Sequence, residues 1–130
     1  MRLIITLTAA LVILTSAAQA EAKARAAAKP AAFQLNETTW TFTEKGTKYK
    51  ESIDADGNYI ENTISGKHAD HGTAVMKGDK ACFTSLMTKE GEVCWTTTPV
   101  KVGHSINTTS DKGEKLKVTR VRYAKLSMPK

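Results

Sequence analysis

No apolar run in this 130-residue chain is long enough to cross a membrane as a helix, which takes roughly 20 residues. Cysteine is nearly absent, with two in all, so at most one intramolecular bridge is available. No cysteine stands just after the first small-residue site, which leaves nothing for lipid attachment of the bacterial lipoprotein kind. The signatures of catalysis are missing as well. There is no Gly-x-Ser-x-Gly elbow, no His-Glu-x-x-His pair and no phosphate-cradling glycine loop, so an enzyme would have to assemble its site wholly in three dimensions. Helical periodicity is also lacking: residues 33–130 contain no long stretch with apolar positions recurring at three and four.

What is present begins with an export signal. Arg2, an apolar run from Leu3 to about Leu14 and the small residues Ala18-Gln19-Ala20 form the three parts of a secretory leader. We expect cleavage after Ala20, a periplasmic or secreted product, and no transmembrane segment in the mature chain. Residues 21–32, EAKARAAAKPAA, hold almost nothing but alanine and charge, and Pro30 interrupts any helix the alanines would start. They read as a flexible linker, and the folded domain, 33–130, begins near Phe33.

The chain carries 19 Lys and Arg against 13 Asp and Glu, a net +6, and loss of residues 1–20 removes only Arg2. No nucleic-acid module accompanies this charge, and an exported protein meets anionic lipids, sugars and other proteins first. We therefore expect no nucleic-acid partner. The expected partner is an envelope protein or an anionic surface, and no cofactor is called for.

Short runs rich in Thr, Val, Ile and aromatics alternate with turns at Lys45-Gly46, Asp56-Gly57, Ser65-Gly66, Lys77-Gly78-Asp79, Glu90-Gly91 and Lys112-Gly113. This pattern predicts strands over 38–44, 49–55, 58–65, 72–76, 81–88, 93–97, 100–108 and 114–124. Connections too short for crossovers make sequence neighbours pair, and closure removes exposed edges. The expected fold is all-β, an antiparallel up-and-down meander forming an eight-stranded barrel with one disulfide. Trp40 and Phe42 share one face of the first strand. Val100, Val102, His104 and Ile106 alternate in the same way, and a parity change after Val118 predicts a bulge near Thr119 or Arg120.

Cys82 and Cys94 are expected to pair in an oxidising compartment, stabilising the fold by about 3 kcal/mol in the chain-entropy picture. Cys82-Phe83 and Cys94-Trp95 place each ring on the face opposite its cysteine. The rings would fill the interior and the bridge would lie toward solvent. Cysteines directly opposite would centre the turn on Thr88 rather than Glu90-Gly91, so a bulge or a wider loop is required.

Several groups invite a chemical reading. Asp54-Ala55-Asp56-Gly57-Asn58 has the acids of a calcium loop, but Ser52 and Thr63 occupy its first and last ligand positions, and an Asp-Gly turn explains it without an ion. His68, Asp70 and His71 are the densest potential metal ligands, with His104 a distant addition. In a regular strand His68 and His71 would face opposite ways, so only a loop would converge them. Ser65 near His68 and Ser85 with His104 are the only nucleophile and base candidates. Lys115, Lys117, Arg120 and Arg122 form a basic stretch for an anion or a partner.

Asp56-Gly57-Asn58-Tyr59, Gly72-Thr73, Gly78-Asp79-Lys80-Ala81-Cys82-Phe83 and Cys94-Trp95 resemble a group of small secreted bacterial β-strand proteins. The likeness spans Trp40 to Trp95 and implies a strand meander after a signal peptide, but no activity. In outline the chain is also similar to small periplasmic inhibitors of lysozyme or metalloprotease, compact disulfide-bearing barrels, although it holds no inhibitor motif. A barrel of this size has an interior filled by side chains or room for one small ligand. Its aromatics suggest a filled one, with contacts made by loops or outer faces. The expected function is a non-catalytic binding module of the envelope; the alternatives are an inhibitor of lysozyme or protease, or a small metal-binding protein or enzyme.

Overall fold

The computed structural model describes residues 33–129; the expected signal peptide and linker lie outside the described residues. Eight strands follow one another: β1 Thr38–Glu44, β2 Thr47–Ile53, β3 Asn58–Thr63, β4 His68–Lys77, β5 Lys80–Ser85, β6 Glu92–Thr96, β7 Ser105–Thr109 and β8 Lys115–Val121. They form one antiparallel sheet in the order β6-β5-β4-β3-β2-β1-β8-β7. Every hydrogen-bonded neighbour is thus a neighbour in sequence except β1 and β8, whose pairing curls the meander into a barrel. The outermost strands meet at a narrow seam. There Trp95 bridges Ser110, the Asp111 amide donates to the Cys94 carbonyl at 2.9 Å, and the Thr108 hydroxyl donates to the Thr96 carbonyl at 2.6 Å.

Turn chemistry sets the registers. Lys45 and Gly46 connect β1 to β2 with φ of 48° and 82°, the doubly left-handed geometry whose twist matches paired strands. Between β2 and β3 the Asp54 carboxylate accepts from the amides of Asp56 at 3.0 Å and Asn58 at 2.9 Å. Those amides, the Asn58 contact foremost, hold the Asp54 pKa below its usual value. The carboxylate serves the turn, as the Asp-Gly reading of this segment requires.

Cys82 and Cys94 are bonded and stand directly opposite each other in the β5–β6 ladder. The turn centre on Thr88 is accommodated by the wider of the two expected devices, a loop over residues 86–91 that Gly91 leaves at positive φ. The bridge is on the outer face, but Cys82 is only 1 % exposed. The register lays the Lys77–Glu92 ion pair, 2.7 Å, across it. Sulfur on the outer face is therefore covered rather than directed to solvent.

Several strand expectations are corrected: β4 begins at His68 rather than Gly72, and β5 ends at Ser85 rather than Thr88. β7 begins at Ser105 rather than Val100, because Pro99 lacks an amide hydrogen and Gly103 takes a φ of 89°. β8 carries no bulge at Thr119 or Arg120: the pairs Phe42–Val118, Thr41–Thr119, Trp40–Arg120 and Thr39–Val121 run without a break. The chain leaves the sheet after Val121, and residues 122–129 cross the outer face of β1 to β3. There the Ala124 amide donates to the Thr39 hydroxyl at 2.9 Å, the Leu126 amide to the Ser52 hydroxyl at 2.9 Å, and the Asn62 amide group to the Ser127 carbonyl at 3.4 Å. This strap accounts for the burial of three polar side chains on the outward side. The irregularity lies instead between β3 and β4, where Glu61 pairs with Asp70, Asn62 pairs with His68, and Ala69 is the extra residue.

Candidate functional site

Side chains directly opposite across a ladder share a face, so the registers define the interior. Trp40 leads to Glu51, Glu61 and Asp70 across four strands. The next row runs Ile53, Tyr59, Gly72 and Ser85. Ala74 leads to Phe83 and Val93, and Phe42 to Val118 and Ile106. Leu35, Trp40, Ile53, Tyr59, Ala74 and Ala81 make the buried core, with Phe33, Met76, Phe83, Val100 and Val118 packed against it. The rings are arranged edge to face, Tyr59 to Phe83 at 5.4 Å and Phe33 to Trp40 at 6.5 Å. The Trp40 indole donates to the Thr38 hydroxyl at 2.9 Å.

These side chains do not fill the barrel. A cavity of about 300 Å³ remains, walled by Trp40, Phe42, Phe83, Trp95, Ile106, Leu116 and Val118. That volume lies at the lower end of ordinary small-ligand sites, about 300–1,000 Å³. Glu44, Thr88, Glu90, Gly91 and Glu114 also line it, and all belong to the strand ends and loops at one end of the barrel, which form its mouth. At the other end Phe33 and Leu35 pack over Trp40. There the Arg120 guanidinium lies 5.7 Å above the Phe33 ring and donates to the Val100 carbonyl at 2.8 Å.

Three carboxylates stand deep in the wall. Asp70 is fully engaged, its two oxygens accepting from the Tyr59 hydroxyl at 2.8 Å and the Ser85 hydroxyl at 2.6 Å. Ser85 in turn accepts from the amides of Met87 and Thr88, at 3.0 and 3.1 Å. The mouth loop is thereby fastened to the interior. Tyr59 reaches Asp70 because its partner across the ladder is Gly72, where a β-carbon would stand 2.0 Å from the Thr84 carbonyl oxygen and 3.0 Å from the Tyr59 ring. Burial and the Asp70 contact push the Tyr59 hydroxyl pKa well up.

Glu51 is 8 % exposed, and its carboxyl makes no hydrogen bond or ion pair with any described residue. Burial, then the charges of Glu61 and Asp70, raise its pKa well above the usual carboxylate range. Burial also lifts Glu61 to about 7, helped by Asp70 and then Glu44. Both carboxyls carry the strain of a charge removed from water among like charges.

The residues picked from sequence fall elsewhere. His68 and His71 do converge, but on a strand: the extra residue Ala69 reverses the parity and turns both rings outward. Their Nε2 and Nδ1 atoms are 3.1 Å apart, and His68 Nδ1 lies 2.9 Å from the Asn62 carbonyl oxygen. Asp70 faces inward to Tyr59 and Ser85, so it does not complete a three-ligand set with them. Among the described residues the only convergent group of three is Cys82, Glu92 and Cys94, and its sulfurs are bonded to each other. His104 is exposed in a turn outside β7. Ser85 has Asp70 rather than a histidine beside it. Ser65 shares a contact with the Thr63 hydroxyl at 2.9 Å.

The basic stretch divides. Lys115 and Lys117 are exposed on the outer face of β8 and Arg122 is exposed beyond it. Arg120 has the opposite parity and is used at the closed end of the barrel. The acids that sequence reasoning passed over had a readable signal, since Glu51 alternates with Tyr49 and Ile53, and Glu61 with Tyr59. Compared with models of protein families, with characterised proteins and with solved structures, the chain matches none.

Proposed function

We propose that this protein is an exported, non-catalytic binding module of the cell envelope whose small ligand enters the barrel rather than resting on its outside. The single observation behind this reading is the cavity of about 300 Å³ walled by aromatic and aliphatic side chains and open at one end. Apolar surface left uncovered inside a domain this small forgoes stabilisation of roughly 25 cal/mol per Å², which a ligand with an apolar body restores. Serine activation is not favoured, because no histidine lines the cavity.

Trp40 and Trp95 both line the cavity, so the protein carries its own reporters. Titration with the neutral apolar probe N-phenyl-1-naphthylamine is expected to quench tryptophan fluorescence saturably, with one site. Filling the cavity with Ala81→Phe should weaken that binding at least tenfold. Absence of saturable binding, or equal binding by the filled variant, would refute the reading. The inhibitor alternative is favoured by one feature, the exposed Leu86 and Met87 beside the mouth. It requires that Leu86→Ser with Met87→Ser abolish inhibition in a lysozyme and protease panel.

A further inference from the structure

Charge is distributed unequally between the cavity and the rest of the chain. Six carboxylates line the cavity, Glu44, Glu51, Glu61, Asp70, Glu90 and Glu114, and no Lys, Arg or His does. The whole sequence holds only 13 Asp and Glu against 19 Lys and Arg, so nearly half of its acids face this one space. Glu51 is the sharpest member. It is 8 % exposed and lines the cavity, and its carboxyl, which opens onto that space, meets no hydrogen-bonding side chain among the described residues.

We propose that the barrel interior is a binding site for an organic monocation, an ammonium group on a compact apolar body, with the ammonium against Glu51 and the body against the aromatic wall. This rests on the binding reading above and names its ligand class. The ammonium supplies the donor that Glu51 lacks. Trp40 stands directly across the ladder from Glu51 and lines the same cavity, and cations are drawn to aromatic faces. At the mouth Glu90 is ion-paired with Lys112 at 3.8 Å, which leaves Glu44 and Glu114 as the acids there that favour a cation over an anion. A cavity of about 300 Å³, at the lower end of small-ligand sites, has room for a compact aromatic body bearing a short chain.

A bare divalent metal fits less well. The ligand atoms of Glu51, Glu61 and Asp70 do not form a convergent group within 4.8 Å, and both Asp70 oxygens already accept hydrogen bonds. The wall is also aromatic where a metal site would present oxygen.

The test is calorimetric titration of the purified protein with 2-phenylethylammonium, its neutral counterpart 2-phenylethanol, the anion phenylacetate, and calcium. At pH 8 the ammonium is expected to bind at least tenfold tighter than the alcohol, and phenylacetate weakest. Glu51→Gln should cut the ammonium-over-alcohol preference at least fivefold. Glu61→Gln should cut it less. In the unmutated protein the preference should shrink from pH 8 to pH 5.5 as the carboxyls gain protons. Glu51, Asp70 and Glu44 are the other acids set around Glu61 here. Binding at pH 7 should then release protons, seen as a dependence of the heat on buffer ionisation enthalpy. Equal affinity for ammonium and alcohol, a preference untouched by Glu51→Gln, or calcium displacing the ammonium would overturn the proposal. If the alcohol and the naphthylamine probe still bind in those cases, only the ligand class has failed; if nothing binds, the binding reading has failed with it.

Discussion

Glu51 and Gly72 show how single positions shape this interior. Glu51 keeps a carboxyl in the barrel wall without a partner, so removing its charge should relieve the fold. Glu51→Gln is expected to raise stability at pH 8 by about 1–2 kcal/mol, measured by urea unfolding with Tyr59 and Asp70 left intact. Gly72 acts oppositely. A β-carbon there meets the Thr84 backbone and the Tyr59 ring, so Gly72→Ala should cost roughly 2–4 kcal/mol and lower the denaturant midpoint accordingly. A loss under half a kcal/mol would show that the strands separate easily at this point. Alternation made Trp40, Phe42, Phe83 and Trp95 legible as inward residues. Glu51 and Glu61 were not, because an acid in a strand ordinarily marks the wet face and only their parity with Tyr49, Ile53 and Tyr59 argues otherwise.

Strand number and order follow from the glycine turns, so all eight elements could be read from the sequence and only their ends moved. Two features could not. The extra residue Ala69 leaves no compositional mark, yet it decides that His68 and His71 share the outer face while Asp70 enters the cavity. The regular strand parity used to separate the histidines fails for that reason alone. The terminal segment also escapes alternation, since 122–129 binds the outer side of the sheet through Thr39, Ser52 and Asn62 rather than pairing in it. Truncation after Tyr123 should therefore expose those polar groups and destabilise the domain by about 1–3 kcal/mol, with probe binding in the cavity retained. Opening the Cys82–Cys94 bridge should cost about 3 kcal/mol, seen as a lower denaturant midpoint under reductant. No change on reduction would place the β5–β6 hairpin outside the cooperative unit.

On the scale of the molecule, a basic chain encloses an acidic space, and this fixes how stability depends on pH. Glu61 holds its proton to about pH 7 in the fold against a reference of 4.5, so between those values the folded form binds more protons than the unfolded chain. Stability conferred by that difference is complete below about 4.5 and is lost as pH rises through 7, and Glu51 extends the loss in the same direction. Thermal melts of the free protein should accordingly fall from pH 5.5 to pH 8, and an organic ammonium should restore part of the fall. A melting temperature that rose over this range would mean the interior carboxyls are solvated.

Where the ligand sits is read directly by a two-dimensional NMR titration of the protein with the neutral naphthylamine probe. Binding inside the barrel shifts the amides around Glu51, Glu61, Phe83 and Trp95 and those of the mouth loop 86–91, leaving the outer positions Lys115, Lys117 and the histidine pair still. Shifts confined to those outer residues, with the interior silent, would contradict it.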